Sequence, residues 1–250
     1  MSLLAAFLAV ALQPAPGDFV RDENTDLLDF SYSWPARAER DRLLRVLLRE
    51  RMEAARARAT ADARESRRLA RQGGYEFRQH SYGQGWAVAG QPVQLLSLTA
   101  SISTYGGGAH GNMAFDSLLW DDLPGRAIDI VAFLGPGLVQ MEPRYCAELD
   151  RMRAERRREA RIESDAGDPF SACPPIAAQV LAFADTDNNP HFDTLLVLLP
   201  PYAAGPYVEG EYVVAVQLDD GDLAHVPEPQ RGAFFPWGER IIPLPSAPEE

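Results

Sequence analysis

From Ala36 to Gln72 the chain has neither glycine nor proline, and alanine, leucine, arginine and glutamate dominate it. Nothing there interrupts a helical backbone. Leu44, Leu48, Met52, Ala55 and Ala59 fall on one narrow stripe at i, i+4, i+8 spacing, so the stretch reads as a long amphipathic helix. Gly73-Gly74 supplies its stop. The sequence around it is strand-like. Leu28 to Trp34 alternates large apolar with small polar residues and then meets Pro35, a short strand with a proline stop. Tyr75 to Val88, aromatic and glycine-rich, suggests an irregular strand, and Val93 to Tyr105 keeps period two over a long run.

Met113 to Trp120 and Arg126 to Ile130 read as a hairpin around Asp121-Asp122-Leu123-Pro124-Gly125. Pro143 to Ile162 reads as a second helix with arginines on its outer side. Val180 to Ala184, Thr194 to Leu199 and Tyr212 to Leu218 are apolar runs of strand length, the last closing the folded body. The tail from Pro227 to Glu250 is proline-rich and is expected to be extended. Runs of strands interrupted by two helices describe an α+β fold: an antiparallel β-sheet with two main amphipathic helices.

Charge narrows the function. All 24 basic residues are arginine. Without lysine there is no phosphate-loop lysine, no Schiff-base lysine and no kinase strand lysine. Arg37 to Arg71 holds twelve arginines and Arg144 to Arg161 seven more, interleaved with acids at helical spacing, which describes solvated helix faces. The rest of the chain carries five arginines against 26 acids. So acidic a body opposes nucleic-acid binding, because phosphate would be repelled.

The amino terminus, Met1 to Leu12, contains ten successive apolar residues. That is too short to span a bilayer but suits the apolar region of a secretory signal, with Ala9-Val10-Ala11 as a small-x-small cleavage site and Gln13-Pro14-Ala15 as another. No basic residue precedes it. Residues 1–17 are therefore expected to be a leader, no other membrane span is expected, and the location is periplasmic or secreted. Cys146 and Cys173 are the two cysteines. They make a poor zinc site, and in an exported protein they form one disulfide, the alternative being two buried thiols.

Three motifs could carry chemistry. The first is Tyr105-Gly106-Gly107-Gly108-Ala109-His110, where glycines leave an open backbone beside a histidine. His110 could donate to a sugar hydroxyl or a partner carbonyl, or simply hold its loop. The second is Asp185-x-Asp187-x-Asn189 with Asp193, which imitates the opening of a calcium loop. Pro190 stands where a glycine belongs and Leu196 where a bidentate glutamate belongs, so it reads as a polar hairpin turn. The third is aromatic: Tyr202 and Tyr207, with Trp120 and Tyr105, could form a platform for sugars or a protein partner. No Gly-x-Ser-x-Gly elbow and no His-Glu-x-x-His occurs. No catalytic residue, cofactor or metal is assigned.

Four segments carry a family resemblance: Phe30 to Pro35, Tyr105 to His110, Leu119-Trp120-Asp121 with Gly125, and Pro201 to Tyr207. In this order they resemble the extracellular region of RsiV-like anti-sigma factors and the non-catalytic N-terminal region of PdaC-type peptidoglycan deacetylases. The resemblance divides the body into a PdaC-type N-terminal domain over residues 28–112 and an RsiV-like C-terminal domain over 113–222, forming one unit, followed by the tail 227–250. It implies an extracytoplasmic α+β module, which in RsiV-like proteins binds lysozyme and in the deacetylases accompanies a separate catalytic domain. Neither a sigma-binding segment nor a deacetylase domain is expected from these residues, so neither activity is expected here.

The leading expectation is a non-enzymatic, exported envelope protein. It would bind a cationic protein such as lysozyme, or peptidoglycan, through a surface around Tyr105, His110, Trp120, Tyr202 and Tyr207. The alternatives are a periplasmic hydrolase or glycan-modifying enzyme with an unrecognised site, and a structural envelope protein.

Overall fold

Asp41 opens the long helix: its Oδ1 accepts the Leu44 N–H at 2.8 Å, satisfying one of the donors that a first turn leaves free. In the computed structural model, which describes residues 15–160, 169–187 and 189–236, that helix sits between strands. The elements run β1 (Phe19–Asn24), β2 (Leu28–Trp34), α1 (Ala36–Arg40), α2 (Arg42–Gly73), β3 (His80–Gly90), β4 (Leu95–Tyr105), β5 (Asn112–Asp121) and β6 (Arg126–Ile128). They continue as α3 (Ile130–Leu134), α4 (Gly137–Ala160), β7 (Val180–Ala184), β8 (Thr194–Leu199), β9 (Tyr212–Gln217) and α5 (Asp220–Leu223). The fold is α+β, with two longer helices and antiparallel-rich sheets.

The first sheet runs in the order β1-β2-β3-β4-β5-β6. One pair departs from the antiparallel expectation: β2 and β3 lie parallel, with Leu28 beside His80. Parallel neighbours need a long crossover, and α1 with α2 provides it. Gly74, at φ +69°, ends α2 in the left-handed conformation that glycine takes without strain. The expected stripe is the buried face: Leu44, Leu48, Met52 and Ala55 pack on Phe30, Tyr32, Trp34, Trp86, Leu96, Leu98, Leu118 and Trp120, with Ala59 partly buried beside them.

The alternation of β4 and β5 explains how this sheet serves two cores. Leu96, Leu98, Leu118 and Trp120 face α2. Leu95 and Leu119, one residue out of phase, join a second core with α3, α4 and the sheet β7-β8-β9. Backbone joins the sheets where the Asp185 N–H donates to the Ala89 carbonyl at 3.1 Å. Cys146 on α4 is bonded to Cys173 in the following loop.

Three sequence expectations change here. Helix α4 starts before Pro143, which lies inside it; its expected end at Ile162 falls outside the described residues. The arginines of α4 are only in part a solvated face: Arg151 and Arg158 are exposed, but others are not. Arg153 is 4% exposed, and Arg144 grips both oxygens of Asp222 at 2.6 Å. The tail is not wholly extended either: Glu228–Ala233 forms a short 3-10 helix, Phe192 donates its N–H to the Ala233 carbonyl at 2.8 Å, and Ala233 and Phe234 are buried. Phe234 closes the second core against Phe183 and Phe192. Residues 237–250 of the tail and 1–14 of the expected leader lie outside the described residues. Among the described residues no helix is long and apolar enough to cross a membrane.

Candidate functional site

Two loops distant in sequence meet at one place. The first joins β4 to β5 and is folded back on itself: the Tyr105 hydroxyl donates to the Gly108 carbonyl at 3.1 Å. His110 then donates its Nδ1–H to the Gly111 carbonyl at 2.8 Å. The second loop joins β8 to β9 and contains Pro201-Tyr202 and Pro206-Tyr207. Its Tyr207 hydroxyl donates to the same Gly111 carbonyl at 2.9 Å, across 96 positions of sequence. Their rings follow: His110 and Tyr207 lie 4.1 Å apart between centroids, and Tyr202 lies 5.6 Å beyond Tyr207. All three rings reach solvent, Tyr202 at 54% and Tyr207 at 37% exposure, with Val208 beside them at 75%.

Helix α4 holds the second loop from beneath. Arg153 donates to the Ala204 carbonyl at 2.7 Å, and Arg156 donates to the Glu209 and Glu211 carbonyls while lying 4.2 Å from the Tyr212 ring. Arg157 pairs with the Glu209 carboxylate at 2.8 Å. That carboxylate, 1% exposed, also accepts the Tyr212 hydroxyl at 2.5 Å. A Cβ on Gly205 would overlap Glu209 Oε2, so glycine is what admits the carboxylate. Burial, reinforced by the Glu209 hydrogen bond and charge, pushes the Tyr212 hydroxyl up to about 12. The turn that presents Tyr202 and Tyr207 is therefore fixed by a buried ionic knot.

The expected site residues divide. His110, Tyr202 and Tyr207 come together. Tyr105 makes its hydrogen bond inside its own loop. Trp120 does not belong to the surface: it is 3% exposed, and its indole N–H donates to Asp41 Oδ2 at 3.3 Å. Its place on β5, two residues from Leu118, puts it on the face covered by α2. Sequence reasoning missed Arg153, Arg156, Arg157 and Glu209. The i, i+3, i+4 spacing of the three arginines, one helix face, was the available signal.

His110 contacts the Gly111 carbonyl and the Tyr207 ring; among the described residues it has no carboxylate or hydroxyl acceptor–donor partner of the kind a general base needs. Clefts of about 470 and 450 Å³ lie elsewhere, beside Arg153 and Arg158 and between Asp116 and Val180. Among the described residues, the carboxylates grouped closely enough to hold a metal ion are those of Asp185, Asp187 and Asp193, whose oxygens lie within 4.8 Å of one another. Asp193 already accepts the Thr186 and Asp187 N–H groups at about 3 Å and the Thr186 hydroxyl at 2.9 Å. Those bonds close the β7–β8 turn, and burial holds the Asp193 carboxyl above the usual range.

Comparison with known proteins agrees with this architecture. Residues 21–113 match the family model described as Deacetylase PdaC, a span that runs from within β1 to the start of β5. A DUF3298 family protein from Pseudomonas aeruginosa PAO1 has a similar structure, with a TM-score of 0.51 and 16% identity over 90% of this chain and 98% of that one. A second DUF3298 family member, from Bacteroides fragilis, gives a TM-score of 0.54 and 13% identity over 86% of this chain and 95% of that one. At such identities the likeness is one of fold. No curated protein matches the chain in sequence.

Proposed function

We propose that this chain, with its PdaC-type segment and DUF3298-like fold, is a non-enzymatic exported envelope protein that binds a macromolecular ligand through the His110–Tyr207–Tyr202 face. The observation that carries the reading is the shared Gly111 carbonyl. It locks two exposed rings from two loops into one rigid surface, and preorganised rings bind at low entropic cost. Among the described residues His110 contacts the Gly111 carbonyl and the Tyr207 ring and no acid or nucleophile, which supports binding over hydrolysis. The disulfide and the apolar leader support export to the periplasm or beyond.

The ligand classes in view are a cationic protein of the lysozyme type and peptidoglycan. A net charge of −12 steers a cationic protein toward the chain. The test is capture of lysozyme and of purified peptidoglycan by the immobilised protein, with Tyr207→Ala and His110→Ala alongside. Retention of either ligand by the wild type and its loss in both variants, with circular dichroism unchanged, supports the reading. Capture of neither ligand, or equal capture by the variants, sinks it.

A further inference from the structure

Strand β5 has 10 residues and its neighbour β6 has 3. β6 pairs with Leu119, Trp120 and Asp121 and stops, so from Asn112 to Leu118 the first sheet ends at β5. The register shows which backbone groups point outward there. The Asp122 N–H donates to the Gln94 carbonyl at 2.8 Å, and the β4–β5 pairing runs unbroken from Leu95–Asp121 to Thr104–Asn112. Even-numbered residues of β5 therefore bond to β4, and odd-numbered ones present N–H and C=O to the open side. Both ends agree: Leu119 and Asp121 pair with β6, and the Gly111 carbonyl accepts the Tyr207 hydroxyl. Between them, the Asp116 carboxylate takes the Ser117 N–H at 2.8 Å. Among the described residues, the N–H and C=O of Met113 and Phe115 and the C=O of Ser117 have no hydrogen-bond partner.

Open strand edges invite pairing, and proteins blunt them with charge or cover. Other edges of this fold are blunted. β1 carries Arg21-Asp22-Glu23 at its centre. At the two ends of β9 the outward carbonyls are occupied, Gln217 by Arg144 at 2.9 Å and the flanking Glu211 by Arg156 at 2.5 Å. The middle of β5 has neither device, and beside it lies the groove of about 450 Å³ lined by Ser117, Leu118, Leu119, Ile128, Ile130 and Val180. We infer that the β5 edge is a strand-addition site, which takes an extended segment of a partner polypeptide and continues the antiparallel ladder that β6 begins. The complement selects the partner: alternating donors and acceptors at the peptide repeat match another extended backbone, and a sugar chain offers no such row. A folded second copy fits poorly, because β6 closes the gap at Leu119 and Tyr207 closes it at Gly111. The gap admits about seven residues, roughly 23 Å at about 3.3 Å each. Alternate side chains of that segment lie against the apolar wall of the groove. Its rim sets Asp116 and Asp129 against Arg51, so flanking basic residues are favoured. The site adjoins the ring face and does not rest on it.

The experiment uses the full chain and the peptide acetyl-Lys-Thr-Val-Thr-Val-Thr-Lys-amide, which alternates and is basic at both ends. In the free protein, hydrogen exchange read by NMR is expected to show the Met113 and Phe115 amides exchanging about tenfold or more faster than those of Ala114 and Asp116, which bond to β4. Saturating peptide is expected to slow both outward amides about tenfold or more. Met113→Pro removes an outward N–H that β4 does not use. It is expected to hold the thermal midpoint within about 2 °C while weakening the peptide about tenfold or more, and Met113→Leu to bind as the wild type does. If the midpoint of Met113→Pro falls further, exchange in the wild type alone decides. Outward amides already slow in the free monomer, no slowing with peptide, or equal binding by a folded Met113→Pro each overturns the inference. Sedimentation adds one more outcome: if the chain self-associates and the same amides slow with its concentration, a second copy fills the edge and the partner assignment falls. Tyr207→Ala is expected to keep the peptide, which separates this site from the ring face. Loss of the peptide there, with Met113→Pro still binding, assigns it to the rings and overturns the edge.

Discussion

Trp120 donates its indole N–H to Asp41 Oδ2 at 3.3 Å, while Asp41 Oδ1 accepts the Leu44 N–H at 2.8 Å. One carboxylate thus caps α2 and pins the end of β5 to its first turn. The α2-to-sheet packing carries the first core, so this junction sets how the helix enters it. Asp41→Ala removes the cap and leaves a buried indole donor unpaired, a loss of about 2 kcal/mol. Asp41→Asn keeps an acceptor for Leu44 and should recover at least half of that. Urea midpoints of the three proteins check the ordering; equal midpoints for Ala and wild type contradict it.

The ionic knot under Tyr207 predicts a larger effect. Removing Glu209 takes a 1%-exposed carboxylate from the Arg157 guanidinium, 15% exposed, and the acceptor from Tyr212. Breaking one partner of a buried pair costs about 3–5 kcal/mol. Glu209→Ala is therefore expected to lose about 3 kcal/mol. Gly205→Ala should act in the same direction by pushing the carboxylate out of place. Chemical denaturation reads both, and a Gly205→Ala protein as stable as wild type rules out the proposed fit.

The long helix was legible because a 3.6-residue period without glycine or proline has one interpretation, and the α2 stripe is the one that packs. Strand β4 was legible from its period of two, and β5 as an arm of a hairpin. Strand partners were not: parallel pairing of β2 with β3 depends on where α2 returns the chain, which no local pattern records. Charge misled at α4. A helical wheel assigns arginines to solvent, yet Arg153 and Arg156 reach carbonyls of a loop some fifty positions away. At the site, His110 and Tyr207 were visible as types, but their shared acceptor was not. Trp120 could have been excluded, since strand parity places it with Leu118 under α2.

The Cys146–Cys173 bond joins α4 to the loop ahead of β7, across 27 positions. In the chain-entropy account, closing a loop of that length stabilises by about 3–4 kcal/mol. The Cys146→Ser, Cys173→Ser double variant should unfold at correspondingly lower denaturant. Reductant should lower the wild-type midpoint and leave the variant unchanged; a midpoint insensitive to reductant in both contradicts the estimate.

Alkaline pH provides the last test. Burial pushes the hydroxyls of Tyr32 and Tyr145 up to about 12, as burial and Glu209 do for Tyr212. Each ionises near 10.0 without the fold, so the folded chain holds more protons between pH 10 and 12. The sign follows. Stability from these groups is intact below pH 10 and is lost as pH rises through about 12, on the order of 2 kcal/mol for each ring. Absorbance at about 295 nm, the phenolate band, should show Tyr32, Tyr145 and Tyr212, together with Tyr82, which burial also raises, ionising in a late phase that moves to lower pH in denaturant. Tyr212→Phe should remove part of that phase, and Glu209→Gln should move part of it to lower pH by removing the adjacent negative charge. A single native phase near 10 would mean that these hydroxyls are not shielded as the packing requires.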